Sequence, residues 1–112
     1  MLTCGPLVIE LEQVTVRLNG SEIPVTFQEF KLLVSLAMRQ GQVVPRDALL
    51  ARAWPQGQMV SPRAVDVHIR RLRRKLQDRG SRMIETVYRR GYRLVVAGRA
   101  AGAPGRRDPA TR

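Results

Sequence analysis

One histidine, one cysteine and five aromatic rings are a sparse kit for 112 residues. His68 has no second histidine to work with, so no triad or metal cluster can be assembled around it. No glycine-rich turn follows a strand to cradle a phosphate. An enzyme is therefore not expected, and neither is a metal or cofactor. Cys4 cannot form an internal disulfide, which points to a reducing, cytoplasmic setting. The segment "LTCG" around it faintly resembles a lipoprotein cleavage site, but no basic start or apolar run precedes it. No stretch approaches the eighteen or so apolar residues that a membrane span needs. Lysine is scarce as well: of twenty basic residues, only Lys31 and Lys75 are not arginine.

What the chain does have is positive charge, placed unevenly. Its length suits one domain with a single core, and at 44% hydrophobic it is globular in composition. Residues 1–60 hold five basic and five acidic side chains. Residues 61–112 hold fifteen basic and four acidic, and so carry the whole formal charge of +11. Such asymmetry indicates a polyanionic partner on one side, nucleic acid first and an anionic membrane second. Arginine presents a planar donor fork suited to phosphates and guanine edges. A GC-rich genome is the other explanation for its excess over lysine.

The first quarter reads as strands. "LVIELE" and "VTVRL" are apolar or alternating over strand lengths, Asn19-Gly20 is a hairpin signal, and "EIPV" is confined by Pro24 to an edge. A small antiparallel sheet of three or four strands is expected. Thr26 and Glu29 form a capping box for a first helix, in which Phe27, Phe30, Leu33, Val34 and Ala37 have helical spacing and Gly41 supplies the stop. "QVV" is too short to stand alone as a strand but is able to pair with another. A second helix is predicted over residues 46–54, with Ala48, Leu49 and Ala53 inward and Pro55 and Gly57 ending it. Ser61-Pro62 opens a third, with Ser as N-cap, running to about Asp78 and closed by Gly80. "MIETVY" and "YRLVV", joined by "RRG", form a hairpin with a basic tip. Residues 97–112 are Ala, Gly, Pro and Arg without periodicity, the composition of a disordered basic tail.

The third helix holds the strongest signal, "VDVHIRRLRRKL". Each helical residue advances about 100°, so Ile69, Leu72 and Leu76 fall within roughly 40° of Val65 and make a narrow core stripe. Arg63, Val67, Arg70, Arg71 and Arg74 fall at roughly 140–240° from it, on the far side. Arg73 and Asp66 lie between the two stripes, and Asp66 is placed to pair with Arg70 at i+4. Residues 61–79 carry seven basic and two acidic side chains. Their mutual repulsion is a poor choice for stability alone, and an external anion relieves it. This geometry fits a helix in the major groove, with Arg reaching phosphates and guanine and Val67 touching a thymine methyl. A solvated basic face explains the helix taken alone. The elements around it favour a nucleic-acid surface: a helix and loop before it, a basic hairpin after it, the layout of a winged helix-turn-helix.

Residues 7–96 resemble the winged-helix effector domain of the OmpR/PhoB family of bacterial response regulators. The matching pieces are "VTFQEFKLL", "VPRDALLARAW", "R-x-VDVHIRRLRRKL" and "I-x-TV…GYRL", in order and at the family's spacing. The resemblance implies an α+β fold with an N-terminal antiparallel sheet, three helices and a C-terminal hairpin wing. It also implies sequence-specific binding of promoter DNA, commonly by two domains head to tail on direct repeats. The recognition helix spans 62–78 and the wing 84–96 on this reading. The resemblance puts Val67 and Arg71 at base-facing positions and Arg63, Arg70 and Arg73 at phosphate contacts. Arg46, Trp54 and Tyr92 come beside the DNA backbone, with plain core as the alternative for Trp54. Arg74 joins the set from the helical wheel. His68, beside the core stripe, reads as a packed structural residue within reach of a phosphate.

The chain departs from the family in three places. Tyr88 stands where an Arg often enters the minor groove, which leaves Arg89 or Arg90 to make that contact. Ala64 replaces a common Thr. No receiver domain with a phosphoacceptor Asp is present, so the chain reads as an excised domain or a free-standing module. Two other functions compete. The uncharged loop 55–60, with Gln56, Gln58, Met59 and Val60, is placed where the family touches RNA polymerase, so a protein-interaction module is one alternative. RNA or general polyanion binding is the other, and low sequence discrimination would reveal it.

Overall fold

The computed structural model describes residues 1–54, 60–78 and 82–95. The expected tail, Pro55, Gln56, Gly57, Gln58 and Met59 of the loop, and Gly80 lie outside them. The order is β1 (Leu2–Cys4), β2 (Leu7–Glu10), β3 (Thr15–Leu18), β4 (Ser21–Ile23), α1 (Phe27–Ala37), α2 (Arg46–Ala53), α3 (Arg63–Leu76), β5 (Ile84–Val87) and β6 (Gly91–Leu94).

The first four strands form an antiparallel sheet in sequence order. One apolar row crosses all four, because Leu2 faces Ile9, Ile9 faces Val16 and Val16 faces Ile23. Directly opposed residues share a face, so this row turns toward the helices while Glu10, Arg17 and Glu22 take other positions. Asn19 and Gly20 both hold positive φ, 53° and 84°, the backbone that a two-residue hairpin turn requires. β1 completes the four strands from "LTC", a segment read for processing signals rather than as a strand. Its Cys4 is buried against Leu7. β4 is an edge strand ending just before Pro24. Val14, assigned by its residue type to β3, instead sits in the turn before it at φ 55°.

The capping box of α1 is present: Glu29 N donates to Thr26 Oγ1 at 3.2 Å and Thr26 N donates to Glu29 Oε1 at 2.9 Å. The helix buries Phe30, Leu32, Leu33, Leu36 and Ala37. Phe27 does not join them; it is exposed, with Lys31 Nζ 5.4 Å from its ring centre. Glu29 has a second task. It is 1% exposed, and Lys75 of α3 donates to its Oε1 at 2.6 Å. Burial pushes this carboxyl up, but the Lys75 hydrogen bond, the Thr26 amide and the nearby positive charges outweigh it and leave it below the usual value. A depressed carboxyl contributes stability above its unfolded pKa, and that contribution is lost as pH falls through the lower folded value. Wild type is therefore expected to melt above Glu29→Gln at neutral pH, with the gap closing below about pH 4. A gap that stays constant in melts from pH 7 to pH 2 would show that the charge of Glu29 is not what stabilises the joint.

α2 buries Leu49 and Ala53, with Ala48 packed at the edge of the core. α3 buries Val65, Ile69, Leu72 and Leu76, the whole expected stripe. Both of its ends differ from expectation. Among the described residues no side chain caps its first turn. The carbonyls of Ser61 and Pro62 accept from Ala64 N and Val65 N at 2.9 and 3.0 Å, so tight i→i+3 bonds take the place of a hydroxyl cap. It ends at Leu76 rather than Asp78. Gln77 turns left-handed at φ 55°, and Asp78 uses its carboxylate to receive Met83 N and Ile84 N, both at 2.7 Å. That carboxylate starts β5.

β5 and β6 form the hairpin, with Val87 facing Gly91 across a turn of Tyr88, Arg89 and Arg90. Residues 41–44 lie beside β6: Val44 and Tyr92 exchange backbone bonds of 2.8 and 3.1 Å, and Gly41 N donates to Leu94 O. The "QVV" segment thus pairs as expected. Ile84 and Leu94 anchor the hairpin base in the core.

Candidate nucleic-acid interface

Burying Val65, Ile69, Leu72 and Leu76 forces the opposite side of α3 outward. Arg63, Val67, Arg70, Arg71 and Arg74 are all exposed on it. Val67 is the one apolar member and is 38% exposed. In the hairpin turn, Tyr88, Arg89 and Arg90 are exposed as well. Arg89 holds φ 62°, a left-handed backbone that usually takes glycine, and its guanidinium lies 5.2 Å from the Tyr88 ring centre. Arg90 N closes the turn onto Val87 O at 2.9 Å. A cleft of about 500 Å³ runs between the starts of α2 and α3 and this turn, lined by Arg46, Asp66, Arg89 and Arg90.

Three of the expected contact residues have partners within the fold. Arg46 does not stand free at the start of α2. Its Nε and Nη2 donate to the Asp66 carboxylate at 3.1 and 2.6 Å. Asp66 therefore pairs across to α2, not with Arg70 one turn along its own helix. Tyr92 is 7% exposed, and its hydroxyl donates to Asp66 Oδ1 at 2.7 Å. Burial raises that phenol first, and the Asp66 carboxylate raises it further, so its pKa is pushed up to about 12 and it remains a donor at physiological pH. Arg73 turns toward the hairpin. Nε and Nη2 donate to Ile84 O at 2.9 and 2.6 Å, Nη2 also reaches Thr86 Oγ1 at 2.7 Å, and the guanidinium lies 5.6 Å from the Tyr92 ring centre.

Trp54 is half-buried against the core and meets His68 edge to face, with ring centres 5.0 Å apart. His68 Nδ1 is 2.8 Å from Ala64 O. A carbonyl only accepts, so Nδ1 carries the proton and donates, and Nε2 is the free nitrogen when the ring is neutral. Of the loop residues read for partner contact, Val60 is half-buried; the others lie outside the described residues. The reading from sequence missed Thr86 and the Asp66–Tyr92 bond. No local signal pointed to either, because both partners lie in the hairpin, well beyond α3 in the chain.

The family described as "Transcriptional regulatory protein, C terminal" matches residues 20–94. The transcriptional regulatory protein CseB of Streptomyces avermitilis is 42% identical over 95 residues, covering 84% of this chain and 39% of that protein. The sensory transduction protein RegX3 of Mycobacterium tuberculosis is 32% identical over 98 residues, 88% of this chain and 43% of that protein. The chain thus spans about two fifths of the length of these relatives. Among solved structures, the Klebsiella pneumoniae RstA DNA-binding domain in complex with its RstA box superposes with a TM-score of 0.76 at 34% identity, covering 86% of this chain and 97% of that one. The DNA-binding domain of Escherichia coli CpxR gives 0.74 at 34% identity with the same coverage. DrrB, an OmpR/PhoB homologue from Thermotoga maritima, gives 0.73 at 37% identity over 83% of this chain and 43% of that one. The chain belongs to the C-terminal family of transcriptional regulatory proteins, non-enzymatic domains with the OmpR/PhoB winged-helix fold.

Proposed function

We propose that this domain binds double-stranded promoter DNA with sequence specificity, placing α3 in the major groove and the β5–β6 turn at the adjacent minor groove. The observation that carries this is the outward face of α3, where Val67, Arg63, Arg70, Arg71 and Arg74 are exposed, with the basic turn across a cleft from the start of the helix. The DNA-bound RstA domain, matched over nearly its whole length, supports the same reading. Arg71 and Val67 read bases, Arg63, Arg70 and Arg74 hold phosphates, and Arg89 or Arg90 enters the minor groove in place of Tyr88. The tail, residues 97–112, adds nonspecific attraction through Arg99, Arg106, Arg107 and Arg112. Two copies bind head to tail on direct repeats, in the bacterial cytoplasm at the nucleoid, as the output half of a two-component regulator. Contact with RNA polymerase falls to the 55–60 loop.

Selection of bound sites from random duplex DNA tests the proposal directly. On the selected site, Arg71→Ala is expected to flatten preference at one base position, worth roughly 1–3 kcal/mol of discrimination. Arg63→Ala is expected to weaken all sequences together and reduce the salt slope by about one. Equal losses from both substitutions on every single-base variant would refute the division of roles. Failure to enrich any sequence would leave general polyanion binding.

A further inference from the structure

We propose that Asp66 is a positioning residue for DNA recognition: its carboxylate ties the first turn of α3 to α2 and to the wing, and so sets the spacing between the two groove-reading elements. This rests on the DNA-binding function proposed above. Three donors from two other elements converge on one carboxylate: Arg46 Nε at 3.1 Å and Tyr92 Oη at 2.7 Å on Oδ1, and Arg46 Nη2 at 2.6 Å on Oδ2. An ionised carboxylate only accepts, and these donors answer both of its oxygens. Asp66 is thus directed toward α2 and the wing, although it lies on the helix proposed to enter the groove.

A second strap lies along the same side of α3. Arg73 is two turns further on and holds Ile84 O and Thr86 Oγ1 of β5. The Tyr92 ring lies between the straps, with its hydroxyl on Asp66 and its face toward Arg73. The hairpin is thus lashed to α3 at two points, one per strand. Core packing holds the hairpin base through Ile84 and Leu94, and the Val44–Tyr92 backbone pair holds β6; the Thr86 and Tyr92 contacts sit nearer the turn and are expected to add to that restraint. The Arg46 and Asp66 side chains are 43% and 37% exposed. Ion pairs that open to water add little to stability. Their effect is expected in orientation and not in melting temperature.

The test uses the full chain with two substitutions, Asp66→Asn and Tyr92→Phe. In the free protein, residual dipolar couplings of the β5–β6 amides relative to those of α3 report how firmly the hairpin is held. On DNA, the probes are the duplex selected by wild type and the same duplex with one base pair inserted between the major-groove core and the flank under the wing. Wild type is expected to lose about tenfold in affinity on the inserted duplex, the scale of one mismatched pair. Both variants are expected to show reduced or averaged couplings for the hairpin, to bind the two duplexes about equally, and to melt within about 5 °C of wild type. Asp66→Glu, which keeps the charge, is expected to restore part of the insertion penalty. Couplings unchanged in both variants, or an insertion penalty retained at tenfold, would overturn the proposal. If wild type prefers no duplex at all, the DNA-binding reading fails, and the couplings alone decide whether Asp66 holds the wing.

Discussion

Gly91→Ala is expected to cost this domain roughly 3 kcal/mol, enough to lower its melting temperature by about 12–24 °C. A Cβ built on Gly91 falls 2.1 Å from Val44 O and 2.9 Å from Pro45 Cα. Both neighbours are backbone and cannot rotate aside. Gly91 also holds φ +149°, a conformation that L side chains rarely adopt. Relief requires withdrawing the hairpin from residues 44 and 45, which breaks the Val44–Tyr92 pairing and pulls Tyr92 away from Asp66. Gly20→Ala and Gly41→Ala are the controls. Each has φ +84° with nothing within 4 Å of the added carbon, so each carries the conformational cost without the collision. Their thermal melts are expected to fall by far less. If all three variants melt alike, the close approach of β6 to Val44 does not limit stability.

Reversing charge at two positions of the exposed face, Arg70→Glu with Arg74→Glu, is expected to reduce DNA affinity by about 10³-fold or more near 0.1 M salt. The logarithm of the binding constant falls by about 0.9 per tenfold rise in salt for each phosphate neutralised, so each contact is worth roughly eightfold at that concentration. Two contacts are removed, and two carboxylates are then set against phosphates, so the loss is compounded about four times over. Because both residues are exposed and face away from Val65, Ile69, Leu72 and Leu76, the fold is expected to persist, with unchanged circular dichroism and a similar melting temperature. Titration of labelled duplex across a range of salt concentrations checks both the affinity and the slope. A loss under tenfold would place the DNA on another face of the molecule.

The features legible in the sequence were those governed by neighbours a few residues apart. The four buried residues of α3, the Thr26–Glu29 box and the Asn19-Gly20 turn each obey a short-range rule of period, cap or backbone sign. The polar straps were not legible, because they are settled by distance in space. Asp66 had Arg70 four residues away on its own helix, and i,i+4 geometry favoured that pair. Arg46, 20 residues earlier in the chain, reaches the same carboxylate with two nitrogens, and the fork–carboxylate match prevails over the single contact. The resemblance puts Arg73 at a phosphate, and the wheel puts it between the core stripe and the outward one. The wheel does not show that a hairpin will arrive beside it. The end of α3 was misplaced for a similar reason. The carboxylate of Asp78 serves the amides that begin β5, an obligation visible only once β5 is in place.

The pairing of Val44 with Tyr92 also has a kinetic side. The N-terminal sheet is built from successive hairpins, so each strand of a nascent chain can find its partner soon after synthesis. Val44 must wait for nearly half of the chain before its partner leaves the ribosome. Closing so long a loop costs entropy that no local contact returns, which makes this the slow class of pairing. Topology favours sheet and α1 forming first and the hairpin docking last. Since Tyr92 brings the Asp66 strap with it, the surface proposed to bind DNA is expected to be completed last, with the basic helix in place before the wing that aims it.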